Sequence, residues 1–256
     1  MKVVILAGGY GTRLSEETRF RPKPMVEIGE KPILWHIMKE YYHYGFDEFI
    51  ILLGYKQEYI KDYFNNYFLH SSDVTFDMEN NEIKIHNKNS EKWKVTLVDT
   101  GLDTMTGGRL KRVKDYLKGE TFMLTYGDAV CDIDLKKLLE FHKKTNKIAT
   151  ITSIQAQERF GILKINEDNE IINFREKKHE DAQWINGGYM VLEPGIFNYL
   201  SDDTTILENA LAQLSEDGQL MAYKYSGFWQ CMDTLKEKVY LDNLTKNGKA
   251  EWMVWK

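Results

Sequence analysis

The first half of the chain alternates short apolar runs with amphipathic stretches of helical period. The runs are residues 3–6, 49–53, 95–98 and 122–126. Continuous apolar runs of this length, ended by glycine or polar residues, are typical of buried parallel strands. Between them, apolar residues spaced three and four apart predict helices, the first carrying the stripe from Ile33 to Tyr41. This alternation predicts a doubly wound α/β sheet.

The second half of the chain has a different pattern. Runs at 161–165 and 170–174 flank Asp168-Asn169, which predicts an antiparallel hairpin. A further strand is expected at 184–192, followed by helices at about 206–216 and 234–245. We therefore predict one continuous domain over residues 1–256, a Rossmann-like α/β fold with a mixed sheet, an antiparallel elaboration and a C-terminal helix.

Composition narrows the class of protein. With 256 residues, 43% hydrophobic and 29% charged, the chain is long and apolar enough for a sizeable core, which excludes a disordered protein. A net charge of -5 gives no overall attraction to nucleic acid or anionic membranes. Two cysteines and no long apolar run exclude a disulfide scaffold and a membrane span. We expect a cytoplasmic protein without nucleic-acid or membrane partners.

A glycine-rich turn follows the first predicted strand directly. It reads Leu6-Ala7-Gly8-Gly9-Tyr10-Gly11-Thr12-Arg13-Leu14. Glycines allow backbone N–H groups to approach phosphate oxygens, and Thr12 and Arg13 add donors. The turn is not a P-loop, and Leu14 stands where a dinucleotide fingerprint needs a third glycine. We predict a phosphate-binding turn; the alternative is a strand-to-loop turn that only needs backbone freedom.

Lys23 lies between Pro22 and Pro24. The two prolines restrict the backbone and would hold the ammonium group in one place. Such a fixed cation suits the neutralisation of a triphosphate. The alternative is a surface lysine in a rigid loop.

Residues 6–14 together with 22–25 resemble the signature of the sugar-phosphate nucleotidylyltransferases, enzymes with a GT-A-like fold. Residues 105–112, 126–128, 185–188 and 227–230 are similar to those family members that use CTP and glucose 1-phosphate. The resemblance covers nearly the whole chain. It implies transfer of CMP from CTP to a sugar 1-phosphate with release of pyrophosphate, a Mg²⁺ cofactor, and a homo-oligomer, either a trimer or a hexamer. It also implies nucleotide-sugar supply for polysaccharides such as capsule or O-antigen.

The resemblance assigns residues to the nucleotide. They are Leu6, Ala7, Gly8, Gly9, Gly11, Thr12, Arg13, Lys23, Thr104, Arg109 and Gly127. Arg13 and Lys23 would be the catalytic cations on the triphosphate. Arg109 would donate two hydrogen bonds to O2 and N3 of cytosine, an acceptor pair that suits an arginine. The alternative for Arg109 is a solvated residue in a basic run. About residues 1–130 would bind the nucleotide and about 131–256 the acceptor.

Two aspartates are candidate metal ligands. Asp128 follows the fourth strand, so its carboxylate would face the ligand crevice of an α/β sheet. The resemblance implies that Asp128 binds Mg²⁺ together with Asp233. Mg²⁺ is usually held by one or two carboxylates plus phosphate oxygens. The alternative for Asp233 is a helix N-cap, and we interpret Asp132 and Asp134 as solvated or capping residues.

The acceptor side departs from the family pattern. By resemblance, Glu176, Lys177, Asn186 and Gly187 would bind the acceptor. However, Lys178 replaces a proline, and Leu207 stands where an acidic residue is expected, with Glu208 one place later. These changes are either neutral or mark another phosphorylated acceptor, such as phosphoglutamine, which would give CDP-glutamine.

Two hypotheses from other classes stand beside the cytidylyltransferase. One is a non-catalytic nucleotide-binding regulatory subunit. The other is a nicotinamide-dependent dehydrogenase, disfavoured by the defective fingerprint.

Overall fold

The computed structural model describes residues 1–86, 90–155, 162–165, 170–175 and 183–256. In chain order the strands are β1 (Lys2–Leu6), β2 (Glu27–Ile28), β3 (Lys31–Pro32), β4 (Glu48–Leu53), β5 (Val74–Asp77), β6 (Glu82–Ile85), β7 (Lys94–Asp99), β8 (Phe122–Tyr126), β9 (Ala129–Cys131), β10 (Ala149–Gln155), β11 (Ile162–Ile165), β12 (Ile171–Arg175), β13 (Trp184–Leu192), β14 (Leu220–Tyr225) and β15 (Trp229–Cys231). The α-helices are α1 (Ser15–Thr18), α2 (Ile33–His43), α3 (Gln57–Asn65), α4 (Tyr67–Ser71), α5 (Thr106–Arg112), α6 (Lys114–Leu117), α7 (Leu135–Thr145), α8 (Leu207–Glu216) and α9 (Leu235–Lys246).

The central sheet contains strands from both halves of the chain. Its order is β14-β10-β13-β8-β1-β4-β7. Strand β1 pairs in parallel with β4 and β8, and β4 pairs in parallel with β7. Strand β13 runs antiparallel to β8 and β10. The predicted α/β fold with a mixed, mostly parallel sheet is confirmed.

Both faces of the sheet are covered, which explains why its strands have continuous apolar sequences. Val3 and Ile5 of β1 pack into one core cluster, which includes residues of α2, α7 and α9. Val4 and Leu6 point to the opposite face and pack with α5, α6 and α8. The alternation of side chains along a strand therefore divides β1 between two hydrophobic layers.

The predicted elements are present with shifts of a few residues, and several elements were missed. Strands β11 and β12 form the predicted antiparallel hairpin, although its turn at 166–169 lies outside the described residues. Strand β10 was missed because it carries the polar residues Thr150, Thr152 and Ser153, all of which are buried. Strand β14, helix α7 and the β5–β6 hairpin were also not predicted.

Two further observations concern the whole described chain. Among its helices, none has the length and apolar character that crossing a bilayer requires. Cys131 and Cys231 carry free thiols.

The C-terminal segment packs on α2 through aromatic rings. Trp252 is fully buried, and its Nε1 donates to Nδ1 of His36 at 3.3 Å. Nε2 of His36 donates to the Ile28 carbonyl at 2.9 Å, so the ring is neutral. Burial lowers the pKa of His36 to about 4. This ring therefore connects α2 to the chain terminus only in its uncharged form.

Replacing His36 by glutamine tests this connection. The folded-state pKa of about 4 lies below the unfolded value of about 6.5, so the neutral ring stabilises the fold above pH 6.5 and less as the pH falls. We expect the difference in free energy of unfolding between wild type and His36→Gln to shrink by about 3 kcal/mol from pH 7.5 to pH 4, measured by urea unfolding. The same substitution at exposed His43 is the control, and a pH-independent difference at His36 would contradict the assignment.

Candidate active site

A cavity of about 550 Å³ opens at the carboxyl ends of β1, β7 and β8. Open α/β sheets bind ligands in such a crevice. The cavity is lined by every residue predicted to bind the nucleotide: Leu6, Ala7, Gly8, Gly9, Gly11, Thr12, Arg13, Lys23, Thr104, Arg109 and Gly127. Asp128 also lines it. The fold thus brings together residues separated by more than one hundred positions in the chain.

The glycine-rich turn reverses the chain directly above β1. Gly11 has a φ of +65° and starts a short 3-10 turn over Thr12–Leu14. A β-carbon at Gly11 would lie 2.8 Å from Cγ2 of Thr18, so a larger residue would meet a steric clash. The Thr18 hydroxyl donates to the Gly11 carbonyl at 3.1 Å and holds the turn.

Arg109 connects the loops around the cavity. The residue is only 4% exposed. Its Nη1 donates to the Leu53 and Gly101 carbonyls and the Thr100 hydroxyl, and its Nη2 donates to the Gly8 and Leu102 carbonyls. These bonds are 2.6 to 3.2 Å long. A β-carbon at Gly8 would come within 2.4 Å of Nη1, which explains why this position needs glycine.

This arrangement changes the expectation for Arg109. The alternative of a solvated residue is wrong, because burial is nearly complete. Both Nη atoms already donate to protein oxygens, so two hydrogen bonds to a cytosine would require them to exchange partners. Burial also lowers the pKa of this guanidinium, although arginine remains charged. Arg109 shapes the cavity through the loop carbonyls that it holds.

Four charged side chains meet at the cavity edge. The ammonium of Lys23 contacts Oδ2 of Asp128 at 2.7 Å and also Oδ1 of Asp233. Nη1 of Arg13 lies 2.6 Å from Oδ2 of Asp233. Burial lowers the pKa of Lys23, but the two carboxylates outweigh it and the net pKa is raised. Lys23 is buried, so the alternative of a surface lysine is wrong.

A short two-stranded ladder brings the two aspartates together. Strands β9 and β15 pair antiparallel, and the Met232 N–H donates to the Asp128 carbonyl at 2.8 Å. Asp128 immediately precedes β9, and Asp233 lies two residues after the end of β15. The N-cap of α9 is Thr234, which forms a capping box with Glu237. The alternative of Asp233 as N-cap is therefore wrong, and its carboxylate faces the cations. Asp134 caps α7, as interpreted from the sequence.

The ladder is anchored from behind by a fully buried polar cluster. The Tyr189 hydroxyl lies 3.1 Å from the Ala129 carbonyl and 2.9 Å from Oε2 of Glu40. The Cys131 thiol lies 3.4 Å from the other Glu40 oxygen. Burial raises the pKa of Glu40 well above its usual range. A protonated Glu40 can donate to Tyr189, leaving the single Tyr189 proton for the Ala129 carbonyl, so every group finds a partner.

The Asp128 and Asp233 carboxylates fit a divalent metal because their oxygens converge on a single cation. Two carboxylate oxygens, one from a residue before β9 and one from a residue after β15, converge on the Lys23 ammonium. The described residues contain no group of three or more His, Cys, Asp or Glu side chains placed to hold a metal. A pair of carboxylates is the usual protein share of a Mg²⁺ site whose other ligands are phosphate oxygens.

The predicted acceptor residues are only partly described. Glu176 and Lys177 lie outside the described residues. Asn186 and Gly187 lie in β13, where Oδ1 of Asn186 accepts from the Gly188 N–H at 2.8 Å. Nε1 of Trp229 donates to the Gly187 carbonyl at 2.7 Å, so β15 and β13 are joined beside the cavity.

Leu207 and Glu208 have different environments. Leu207 is fully buried in the core, whereas Glu208 is exposed and accepts a 2.7 Å hydrogen bond from the hydroxyl of Tyr126, which lines the cavity. An acidic side chain is therefore present beside the cavity despite the shifted position. Tyr126, Glu40, Tyr189 and Trp229 were not predicted as contributors. Of these four, Tyr126 and Trp229 lie in segments 126–128 and 227–230, which carried the resemblance.

The fold and the site define a class of enzyme that acts on nucleotide phosphates: a glycine turn, two cations and two carboxylates at the carboxyl edge of an α/β sheet. Residues 2–242 match the family model described as nucleotidyl transferase, and the chain belongs to that family. The resemblance found in the sequence is confirmed.

Individual relatives give a more specific comparison than the family model. The chain is 54% identical over 257 residues to the glucose-1-phosphate cytidylyltransferase of Salmonella typhi, with 100% of both chains covered. It is 44% identical, again over the full length of both, to the probable glucose-1-phosphate cytidylyltransferase of Bacillus subtilis. The structure of a putative glucose-1-phosphate thymidylyltransferase from Bacillus anthracis superimposes with a TM-score of 0.71 at 20% identity, covering 96% of each chain, which shows the common fold.

Replacing Arg109 by methionine tests its role as a connection between loops. Because five protein oxygens would lose their donor, we expect the nucleotide-free protein to lose at least about 3 kcal/mol of unfolding free energy. The matched control is Arg112→Met on the same helix, where an exposed arginine pairs with Asp203 and the expected loss is below about 1 kcal/mol. Equal stabilities of the two variants in chemical denaturation would show that Arg109 does not hold the loops.

Proposed function

We propose that this chain is a glucose-1-phosphate cytidylyltransferase, which transfers CMP from CTP to α-D-glucose 1-phosphate and releases pyrophosphate. The observation that carries the proposal is the cavity beside the glycine turn, which is lined by Arg13, Lys23 and Asp128 and at whose edge Asp233 pairs with both cations. The full-length likeness to the named cytidylyltransferases supports the choice of CTP and glucose 1-phosphate.

The reaction needs no protein nucleophile. A phosphate oxygen of the acceptor attacks the α-phosphorus of CTP, a new P–O bond forms, and the bond between the α-phosphorus and the oxygen of the departing pyrophosphate breaks. Catalysis then consists of positioning and of stabilising charge on the transferred group. Backbone N–H groups of the glycine turn and the Thr12 hydroxyl are donors for the phosphates, and Arg13 and Lys23 bind the triphosphate as cations.

The cytidine lies, in this proposal, between Thr104 and the loops that Arg109 holds. Carbonyl oxygens of these loops accept from the cytosine amino group, and Arg109 selects the base through their placement. The acceptor is bound by Glu176, Lys177, Asn186 and Gly187. Lys177 binds the phosphate group of the acceptor. Within the single domain, residues up to about 130 serve the nucleotide and the remainder the acceptor.

Asp128 and Asp233 would hold Mg²⁺, whose role when bound is to offset charge on the phosphates as pyrophosphate leaves. The protein's own share of this task is to hold the two carboxylates at a fixed separation. The β9–β15 ladder and the buried Tyr189–Glu40 contact do so.

We further propose a homo-oligomer, a trimer or a hexamer, that works in the cytoplasm and supplies a polysaccharide pathway such as capsule or O-antigen synthesis. The β5–β6 hairpin exposes Phe76, Met78, Ile83 and Ile85, an apolar surface that association would cover.

Light scattering at micromolar concentration is expected to give the mass of several chains. The mass of a single chain would refute the proposed oligomer.

The first test is pyrophosphate release with Mg²⁺ and a matrix of nucleotides and acceptors. We expect turnover with CTP and glucose 1-phosphate, and at least about tenfold lower kcat/KM with UTP or dTTP, because their O4 is an acceptor where cytosine has an amino donor. Turnover with CTP on phosphoglutamine, but not on glucose 1-phosphate, would support the proposed CMP transfer and contradict the proposed acceptor. CTP binding without turnover on any acceptor would instead indicate a regulatory nucleotide-binding subunit.

Two aspartate variants accompany this test. Asp128→Asn is expected to lower kcat by roughly 10²–10³, comparable to removal of one group that stabilises the transition state, with an unchanged circular dichroism spectrum. Asp134→Asn is the matched control, because Asp134 caps α7 away from the cavity and asparagine caps helices equally well. Full activity of Asp128→Asn would contradict its assignment to the metal.

A further inference from the structure

Lys23 occupies the position between the two carboxylates from which a cation can contact both. Its ammonium bonds one oxygen of Asp128 and one of Asp233. The second oxygen of Asp233 is paired with Arg13. The two cations thus already pair with three of the four oxygens of the two aspartates, and a second cation would have to compete with them.

The lysine is held in this place by its surroundings. Pro22 and Pro24 flank it, and it begins the 3-10 turn over Lys23–Met25. The residue is 8% exposed, whereas the Arg13 side chain is 73% exposed. Lys23 thus forms the buried part of these ion pairs, and Arg13 forms the exposed part. A metal ion that arrives alone would have to displace a buried ammonium that bonds no other acceptor among the residues that the structure describes.

We propose that Lys23 and a divalent cation compete for Asp128 and Asp233, and that the nucleotide resolves the competition. The phosphates of a bound nucleotide offer new acceptors to Lys23, which releases the carboxylates to the metal. The metal therefore binds tightly only together with the nucleotide. This inference rests on the proposed function in one point, the assignment of these two carboxylates to the metal.

The competition has a thermodynamic consequence. If the nucleotide strengthens metal binding, the metal strengthens nucleotide binding by the same factor. Removing the ammonium should make the site bind the metal without help and should reduce this coupling. A lysine that only contacts phosphate would have a different signature, since its removal would leave the affinity of the nucleotide-free protein for metal unchanged.

The test is a Mn²⁺ titration of the full-length, nucleotide-free protein, with free Mn²⁺ followed by electron paramagnetic resonance. We expect Lys23→Gln to bind Mn²⁺ at least about tenfold more tightly than wild type. Lys23→Arg keeps the charge and is expected to resemble wild type. Lys39→Gln removes a lysine that pairs with Glu91 outside the site and is the matched control. Adding Asp128→Asn to Lys23→Gln should abolish the tight binding.

A second measurement covers the case in which Lys23→Gln is poorly folded, since it leaves two carboxylates close together. Its melting temperature is then expected to rise with Mn²⁺ by more than that of wild type. Unchanged or weaker Mn²⁺ binding by Lys23→Gln, together with no such rise, would overturn the inference.

The outcomes separate this inference from the proposed function. Wild-type turnover of CTP with a Mn²⁺ affinity independent of Lys23 would refute the competition alone. Tight Mn²⁺ binding by Lys23→Gln, together with a wild-type protein that does not turn over CTP on any acceptor, would refute the proposed function and leave the competition supported.

Discussion

The guanidinium of Arg109 joins the ends of three parallel strands. Its acceptors lie at or just after the ends of β1, β4 and β7, so one side chain sets the distances between the loops that border the cavity. Parallel strands must end at the same edge of a sheet, where their loops have few hydrogen-bond partners of their own. A planar group with five donors can satisfy several carbonyls at once, which a lysine cannot do. The glycines at positions 8 and 54 leave the space that this group occupies.

The carboxylate pair depends on a second constraint, which comes from fully buried polar side chains. The β9–β15 ladder has only three residues in each strand, too few to be stable alone. Its Ala129 carbonyl is satisfied by Tyr189 from the central sheet, and Tyr189 contacts Glu40 from α2. A buried carboxyl that stays protonated avoids the cost of a buried charge and contributes a proton to the network. Buried side chains of the core thus position the Asp128 and Asp233 carboxylates, which lie outside the core.

Much of the fold could be predicted from the sequence, because buried parallel strands and amphipathic helices have distinct periods. The predicted strand at 122–126 is β8, and the predicted strand at 184–192 is β13. Strand β10 could not be found this way, since three of its buried side chains are threonine and serine, which interrupt the apolar pattern. His142 of α7 bonds the Thr150 hydroxyl. Polar burial is a tertiary property and leaves no hydrophobic period.

The sequence by itself determined the phosphate-binding turn, the rigid Lys23 and the aspartate at the end of a strand, because each is a local pattern of residue types. Only the tertiary structure decided what these groups contact. Asp233 lies more than two hundred residues from Lys23 in the chain, and a ladder of two short strands brings the two together. Arg109 has the residue type of a base reader, yet its donors point to loop carbonyls. The physical reason is that hydrogen-bond partners are set by which strand ends meet, and that depends on the order of strands in the sheet.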